Sequence, residues 1–208
     1  MQAFTSKELY MMNGGNKLYI YKDGFGDVYN ATPAEEAEWA VEVVENALNR
    51  LEPETNTTVL KLLVESLSFH KYEGLESLLI EKIKHTTPSK QIAFAASLWN
   101  ISKYEKSFGI IKQNLLQHRA ECVNDAFWAL NDLKKNAEAK QFIVECLEGD
   151  DEELSAKAQM TITMWSYSGI PQLRQNNLSE LLKPENKNSV TFKPAIEELK
   201  KILFTWRK

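Results

Sequence analysis

The chain is long enough for a folded domain, and its charge argues against a general affinity for nucleic acid. Its 208 residues are 43% hydrophobic and 10% aromatic, which is enough apolar material for a continuous core. A net charge of −4 excludes a chain-wide attraction to nucleic acid or to an anionic membrane, because both favour basic proteins.

Residues 1–31 are predicted to form an N-terminal segment that contains a short β-hairpin. In residues 17–22 (KLYIYK) aliphatic and tyrosine side chains alternate, which is typical of a half-buried strand. The glycine-rich residues 23–27 would form the turn and residues 28–31 the return strand. No secretory signal or membrane-spanning stretch is present, so a cytoplasmic protein without a membrane partner is expected.

A long helix is predicted to follow this segment. Thr32 and Glu35 form a capping box with Pro33 at the first helical position, and Pro53 ends the helix. Its apolar side chains follow the helical period, and Trp39 lies off the predicted apolar stripe. Residues 32–208 are interpreted as one helical repeat domain that begins with this helix.

A block of about 31–32 residues recurs from about Thr57 to Leu182, and each copy reads as two short amphipathic helices. The copies align by apolar positions, so that Val64, Ala96 and Phe127 take the same place. Repetition at this period predicts a helical solenoid. The predicted repeats cover residues 57–85, 88–118, 121–148 and 151–182, and a capping helix covers 194–206.

Catalytic chemistry is not indicated by any motif. His70, His85 and His118 fall at predicted helix ends and belong to no metal-binding or nucleophile motif. Cys122 and Cys146 lie among apolar residues of predicted helices, where buried thiols are expected. We therefore predict a protein that is not an enzyme and that has no catalytic residue, no cofactor and no metal site.

A candidate partner-binding strip lies on the polar side of the first helix of each repeat. Trp128 is a large aromatic residue on the otherwise polar side of the third repeat. Aromatic anchors within a polar rim are typical of protein-binding surfaces. The alternative is that Trp128 and the aligned tyrosines pack against the neighbouring repeat. The candidate residues are Tyr72, Asn100, Tyr104, Asp125, Trp128, Asn131 and Asp132.

The second helices carry a modestly basic ridge. Glu76, Glu81, Glu138 and Glu145 interrupt it, and tracking phosphates at physiological salt requires several uncompensated positive charges. A nucleic-acid partner is therefore not expected. The basic residues of the ridge are Lys106, Lys112, His118, Arg119, Lys134, Lys135 and Lys140.

The period, the paired helices and the Thr-Pro openings at Thr32-Pro33 and Thr87-Pro88 resemble HEAT-like α-α repeat proteins over residues 57–182. This resemblance implies an all-α, right-handed α-α superhelix that binds a protein partner. Small bacterial members include proteins that neutralise a cognate toxin. The chain is accordingly interpreted as a non-enzymatic protein-binding scaffold of the immunity or adaptor type.

One branch of this family, similar to AlkD-type alkylpurine DNA glycosylases, offers the alternative function. That branch presents a basic groove with tryptophans and an aspartate, which Trp128, Trp165 and Asp125 or Asp132 would imitate. The acidic net charge and the mixed ridge argue against a glycosylase or another nucleic-acid-binding protein. A monomer or a weak homodimer is expected, with the edge of the N-terminal hairpin as one route to self-association.

Overall fold

The computed structural model describes residues 4–205, and the regular secondary structure in that range is entirely helical. The predicted all-α class is therefore confirmed. The chain divides into two compact units at the junction of Ser102 and Lys103, here called the first and the second unit. No helix within the described range is long and apolar enough to cross a membrane.

The first unit consists of a long helix, three shorter helices packed in sequence and a short N-terminal pair. The long helix α3 begins at the predicted capping box, with the Glu35 carboxylate accepting from the Thr32 amide at 2.8 Å. Helix α3 packs on α4, and both α4 and α5 pack on α6. The helices are α1 (Ser6–Met12), α2 (Lys17–Lys22), α3 (Pro33–Leu51), α4 (Thr57–Phe69), α5 (Leu75–Lys84) and α6 (Pro88–Ser102).

The predicted N-terminal β-hairpin is wrong, because residues 17–22 form helix α2. The Asn16 side chain caps this helix by accepting from the Leu18 amide at 3.1 Å. At its other end Gly24, with φ +84°, allows the Phe25 amide to donate to the Ile20 carbonyl at 3.0 Å. This arrangement is a helix C-terminal motif and not a hairpin turn. The described range contains no strand edge, so self-association through one has no basis.

Helices α1 and α2 dock on α3 through a small apolar cluster. Its buried members are Leu9, Tyr10, Ile20, Tyr29 and Val43. Trp39, predicted to lie off the apolar stripe, packs partly buried against this cluster, with its ring centroid 5.7 Å from that of Tyr10. The sequence pattern misplaced Trp39 because its partners come from the N-terminal helices and not from the repeats.

Polar contacts also hold the N-terminal helices in place. The Gly14 carbonyl accepts from the Ser66 hydroxyl at 3.0 Å and lies 3.0 Å from Nε2 of His70, so two side chains of α4 and its C-cap converge on one backbone oxygen. Lys17 forms an ion pair with Glu36 of α3 at 2.7 Å. The N-terminal segment is thus attached to both α3 and α4.

The second unit contains seven α-helices within the described range. Helix α7 packs on α8, α9 packs on α10 and α13, and α10 also lies beside α8, α11 and α12. The helices are α7 (Ser107–Gln117), α8 (Arg119–Leu130), α9 (Ala137–Glu148), α10 (Glu152–Ser168), α11 (Gln172–Gln175), α12 (Leu178–Leu181) and α13 (Phe192–Thr205).

The last helices differ from the predicted pattern in detail. Leu173 and Leu178 are buried in α11 and α12, which are separated by Asn177 in the left-handed conformation with φ +51°. Helix α13 begins at Phe192, two residues before the predicted capping helix, and buries Ile196, Leu199, Ile202 and Leu203. Trp206, the last apolar residue predicted for this helix, lies outside the described residues.

Candidate functional site

Helices α8 and α10 run side by side, and a cluster of charges joins their N-terminal ends. The Arg119 guanidinium donates to Oδ1 of Asp151 at 2.7 Å and to Oε2 of Glu153 at 2.6 Å. Asp151 is also the N-cap of α10 and accepts from the Leu154 amide at 3.1 Å. These hydrogen bonds, from Arg119 foremost, lower the pKa of the Asp151 carboxyl to about 2.

Acidification should therefore weaken this junction within a defined pH range. Unfolded aspartate has a pKa of about 3.9, so the folded state gains stability from Asp151 above that pH and loses it as the pH falls towards 2. We expect the free energy of unfolding of Arg119→Gln to depend less steeply on pH between about 4 and 2 than that of the native chain. Urea unfolding across this range measures the difference, and identical slopes would contradict the prediction.

Two further hydrogen bonds hold α8 and α10 parallel. Nζ of Lys157 donates to Oδ1 of Asn124 at 2.7 Å, and Nζ of Lys134 donates to the carbonyl of Ser168. The paired residues are 33 or 34 positions apart in the sequence. Because this separation stays nearly constant, each turn of α8 lies beside the turn of α10 that comes 33 or 34 residues later in the sequence.

Large apolar side chains are exposed along these adjacent turns. On α8, Trp128 is 60% exposed, and it lies one turn after Asn124. On α10, Met160, Met164 and Tyr167 are 57%, 40% and 71% exposed and share one helical face, at spacings of four and three residues. We call Trp128, Met160, Met164 and Tyr167 the α8–α10 surface. Scattered single apolar side chains are ordinary on proteins, whereas several on neighbouring helices make this surface a candidate interaction site.

The opposite face of α10 forms part of the core. Ala158, Ile162 and Trp165 repeat at the same spacings and are fully buried. The indole nitrogen of Trp165 has no hydrogen-bond partner in the part of the chain that the structure describes. Trp165 is therefore a packing residue, and its ring is not available to stack on a base as the glycosylase interpretation requires.

Four of the seven predicted binding residues lie together on α8 and the short 3₁₀ turn that follows it. Trp128 is exposed, which contradicts the alternative that it packs against a neighbouring repeat, whereas Asp125, Asn131 and Asp132 are half-buried around it. The amide oxygen of Asn131 is buried and has no hydrogen-bond partner among residues 4–205. This oxygen is held inside the protein and does not face a partner.

The other three predicted residues lie outside α8 and the turn that follows it. Tyr72 and Asn100 belong to the first unit, and Tyr104 is half-buried at the start of the second unit. The predicted strip is also interrupted along α6, because Ala93 and Ser97 are buried there. A continuous strip required every first helix to expose the same face, and α6 is buried on all sides from Ile92 to Trp99.

Sequence reasoning missed the contribution of α10. Met160, Met164 and Tyr167 form a second apolar stripe at helical spacing, about 160° away from the core stripe by the 3.6-residue period. A helix with apolar residues on two faces is a signal that one face is available for a partner.

The predicted basic ridge is mostly occupied by contacts within the protein. Nζ of Lys112 lies 5.1 Å from the ring centroid of Phe142. Lys140 is buried and donates to the Leu203 carbonyl at 2.7 Å, and burial lowers the pKa of its ammonium group. Arg119 and Lys134 are bonded as described above. Arg119 is thus neutralised by carboxylates and Lys140 is withdrawn from solvent, so fewer of the ridge charges are accessible to phosphates.

The histidines and cysteines have structural surroundings. His70 contacts the Gly14 carbonyl, and His85 lies 3.0 Å from the Glu81 carboxylate on the surface of α5. Cys122 and Cys146 are buried as predicted, and burial raises the pKa of the Cys146 thiol to about 12. Within residues 4–205, no three histidine, cysteine or acidic side chains are grouped to hold a metal ion.

No protein-family model, curated protein or solved structure matches this chain. Its function must therefore be inferred from the chemistry of its own residues. Among the surfaces of the second unit, the α8–α10 surface combines exposed aromatic and methionine side chains with a charged border. Aromatic residues and methionine are enriched at protein interfaces.

Proposed function

We propose that the chain is a non-enzymatic protein-binding module that belongs to the HEAT-like helical repeat scaffolds and binds its partner through the α8–α10 surface. The observation that carries this proposal is the exposure of Trp128 on α8 together with that of Met160, Met164 and Tyr167 on the neighbouring helix α10. Tryptophan and tyrosine are common energetic anchors of interfaces, and methionine adapts its shape to a partner. An adaptor or an immunity-type protein is the functional class that such a surface fits best.

The surroundings of this surface favour a protein partner over a nucleic acid. Lys112, Lys134 and Lys140 of the predicted basic ridge make contacts within the second unit. Trp165, which the glycosylase alternative needs at its groove, is fully buried. Phosphate recognition depends on accessible positive charge, whereas a protein interface depends on an apolar centre with a polar rim.

Removal of the Trp128 side chain tests the proposal. We expect Trp128→Ala to weaken partner binding by about 2 kcal/mol or more, because anchor residues at the centre of an interface have effects of this size. Its free energy of unfolding should change by no more than about 0.5 kcal/mol, since the side chain is exposed. The partner would be captured from host lysate with immobilised protein, identified by mass spectrometry and titrated against both forms.

Leu116→Ala is the matched control, because Leu116 is an equally exposed apolar residue on α7 of the same unit. Binding should survive this substitution. A partner retained equally by Trp128→Ala and Leu116→Ala would assign binding to another surface. Recovery of nuclease-sensitive nucleic acid in place of a protein would contradict the proposed class of partner.

A further inference from the structure

The sulfur-containing residues of the second unit differ in their access to oxidants. Cys122 and Cys146 are buried, and burial raises the pKa of the Cys146 thiol to about 12, which opposes formation of the reactive thiolate. Met160 and Met164 are exposed, and they are the only methionines between residues 103 and 208. An oxidant that reaches the folded second unit therefore meets thioether sulfur first.

Both methionines lie on the exposed face of α10 and away from its core face. They are four residues apart, so their side chains occupy adjacent turns of one helical face. The buried face of the same helix carries Ala158, Ile162 and Trp165 and no methionine. A chemical change at Met160 and Met164 thus alters the α8–α10 surface without entering the core.

Oxidation by a peroxide converts a methionine thioether into a sulfoxide. A lone pair of the sulfur attacks one peroxide oxygen, and the S–O bond forms as the O–O bond breaks. With hydrogen peroxide, the displaced hydroxide takes the proton of the transferred oxygen and leaves as water. The sulfur loses two electrons and the peroxide gains them. The product is a polar side chain in place of a flexible apolar one.

A sulfoxide at the centre of an interface opposes binding. Its oxygen is a hydrogen-bond acceptor that loses its water when an apolar partner surface covers it, and burial of an unpaired polar group is costly. In the free chain the same oxygen stays hydrated, because both side chains are exposed. Oxidation therefore disfavours the bound state and leaves the fold of the free chain nearly unchanged.

We propose that Met160 and Met164 form a reversible oxidation site that switches off binding at the α8–α10 surface. This proposal rests on the proposed function, because it names a regulation of the same protein-binding surface. The reverse step is catalysed by methionine sulfoxide reductases. In that step two thiols supply two electrons and two protons, a disulfide forms, and the sulfoxide oxygen leaves as water.

Hydrogen peroxide applied to the purified full-length chain tests the chemical step. Peptide mapping by mass spectrometry would follow sulfoxide formation at each methionine. We expect Met160 and Met164 to be oxidised faster than Met11, which is half-buried in the first unit. Circular dichroism and urea unfolding should show a folded second unit after both are oxidised. Slower oxidation than at Met11, or unfolding on oxidation, would overturn the proposal.

The affinity for the partner captured from host lysate tests the functional step. We expect the chain with both sulfoxides to bind this partner at least about tenfold more weakly than the untreated chain. Methionine sulfoxide reductases A and B should restore the original affinity. Restoration excludes oxidation of Trp128 as the cause, because these enzymes reduce methionine sulfoxide alone. Bound partner should also slow sulfoxide formation at Met160 and Met164.

Substitutions separate these two sulfur atoms from other targets of peroxide. Met160→Leu combined with Met164→Leu keeps apolar side chains that peroxide does not oxidise, so the affinity of this variant should be the same before and after treatment. Met160→Gln combined with Met164→Gln places polar amides at the two positions and should weaken binding at least about tenfold without peroxide. Met12→Leu is the matched control, because Met12 is an exposed methionine of the first unit. This variant should respond to peroxide as the native chain does.

The inference is overturned if the reductases fail to restore binding, or if the leucine variant loses affinity on treatment as the native chain does. If Trp128→Ala weakens binding and both sulfoxides leave it intact, the inference fails and the proposed function stands. If neither change affects binding, or if the lysate yields no protein partner, both fail together.

Discussion

Replacement of Trp165 by alanine should lower the free energy of unfolding of the second unit by about 3–5 kcal/mol. Trp165 is fully buried on the core face of α10. The loss combines the transfer of a large apolar side chain with the cavity that remains. Urea unfolding followed by circular dichroism measures it independently of tryptophan fluorescence.

A second substitution at the same position separates packing from polarity. The buried indole nitrogen of Trp165 has no hydrogen-bond partner within residues 4–205, and burying an unpaired donor costs about 1–3 kcal/mol. Trp165→Phe removes that donor and keeps most of the apolar volume, so its loss should stay below about 2 kcal/mol. Tyr167→Ala, two residues away and exposed, should change stability by no more than about 0.5 kcal/mol. Equal losses for Trp165→Ala and Tyr167→Ala would contradict the assignment of the two faces of α10.

The second large effect is expected at Gly15, where a side chain would separate the N-terminal helices from α4. Gly15 has φ +80°, and a Cβ atom there would lie 2.3 Å from Nε2 of His70. The left-handed backbone costs a non-glycine residue about 1–2 kcal/mol, and the steric overlap adds about 1–3 kcal/mol. We expect Gly15→Ala to destabilise the first unit by about 2–4 kcal/mol and to expose the cluster around Ile20.

Gly24→Ala is the control that measures the cost of the left-handed backbone without steric overlap. Gly24 has nearly the same φ, +84°, but a Cβ atom there would meet nothing within 4 Å. Thermal unfolding and amide hydrogen exchange of residues 5–31 would compare the two variants. His70→Ala combined with Gly15→Ala should restore part of the lost stability by removing the overlap. If Gly15→Ala and Gly24→Ala behave alike, the contact with His70 does not hold the N-terminal helices.

The helices that sequence reasoning located well are those that carry local start signals. Thr32, Pro33 and Glu35 mark the start of α3, and Pro88 that of α6, because capping depends only on neighbouring residues. The same reasoning failed at α2, since six residues with two aliphatic and two tyrosine side chains fit a strand and a short helix equally well. Asn16, whose side chain caps α2, was the local signal that distinguishes the two.

The candidate site was only half visible in the sequence for a different reason. Trp128 stands out in the sequence because a large aromatic residue interrupts a polar face. Its neighbours Met160 and Met164 come from α10, and their proximity depends on the register that Lys157 and Asn124 set between the helices. Such a register is a tertiary property, so the pattern of α8 alone does not reveal it.

Because Cys122 and Cys146 are buried, the rate at which they react with a thiol reagent reports how often the surrounding helices open. Both cysteines lie in the second unit, on α8 and α9, and only the thiolate reacts quickly with a disulfide reagent. Modification in native buffer must therefore wait until α8 or α9 opens. The rate of thiol labelling would measure the opening free energy of this unit without contribution from the first. A surface cysteine introduced elsewhere could then be coupled to a dye selectively, while the two native thiols remain unmodified.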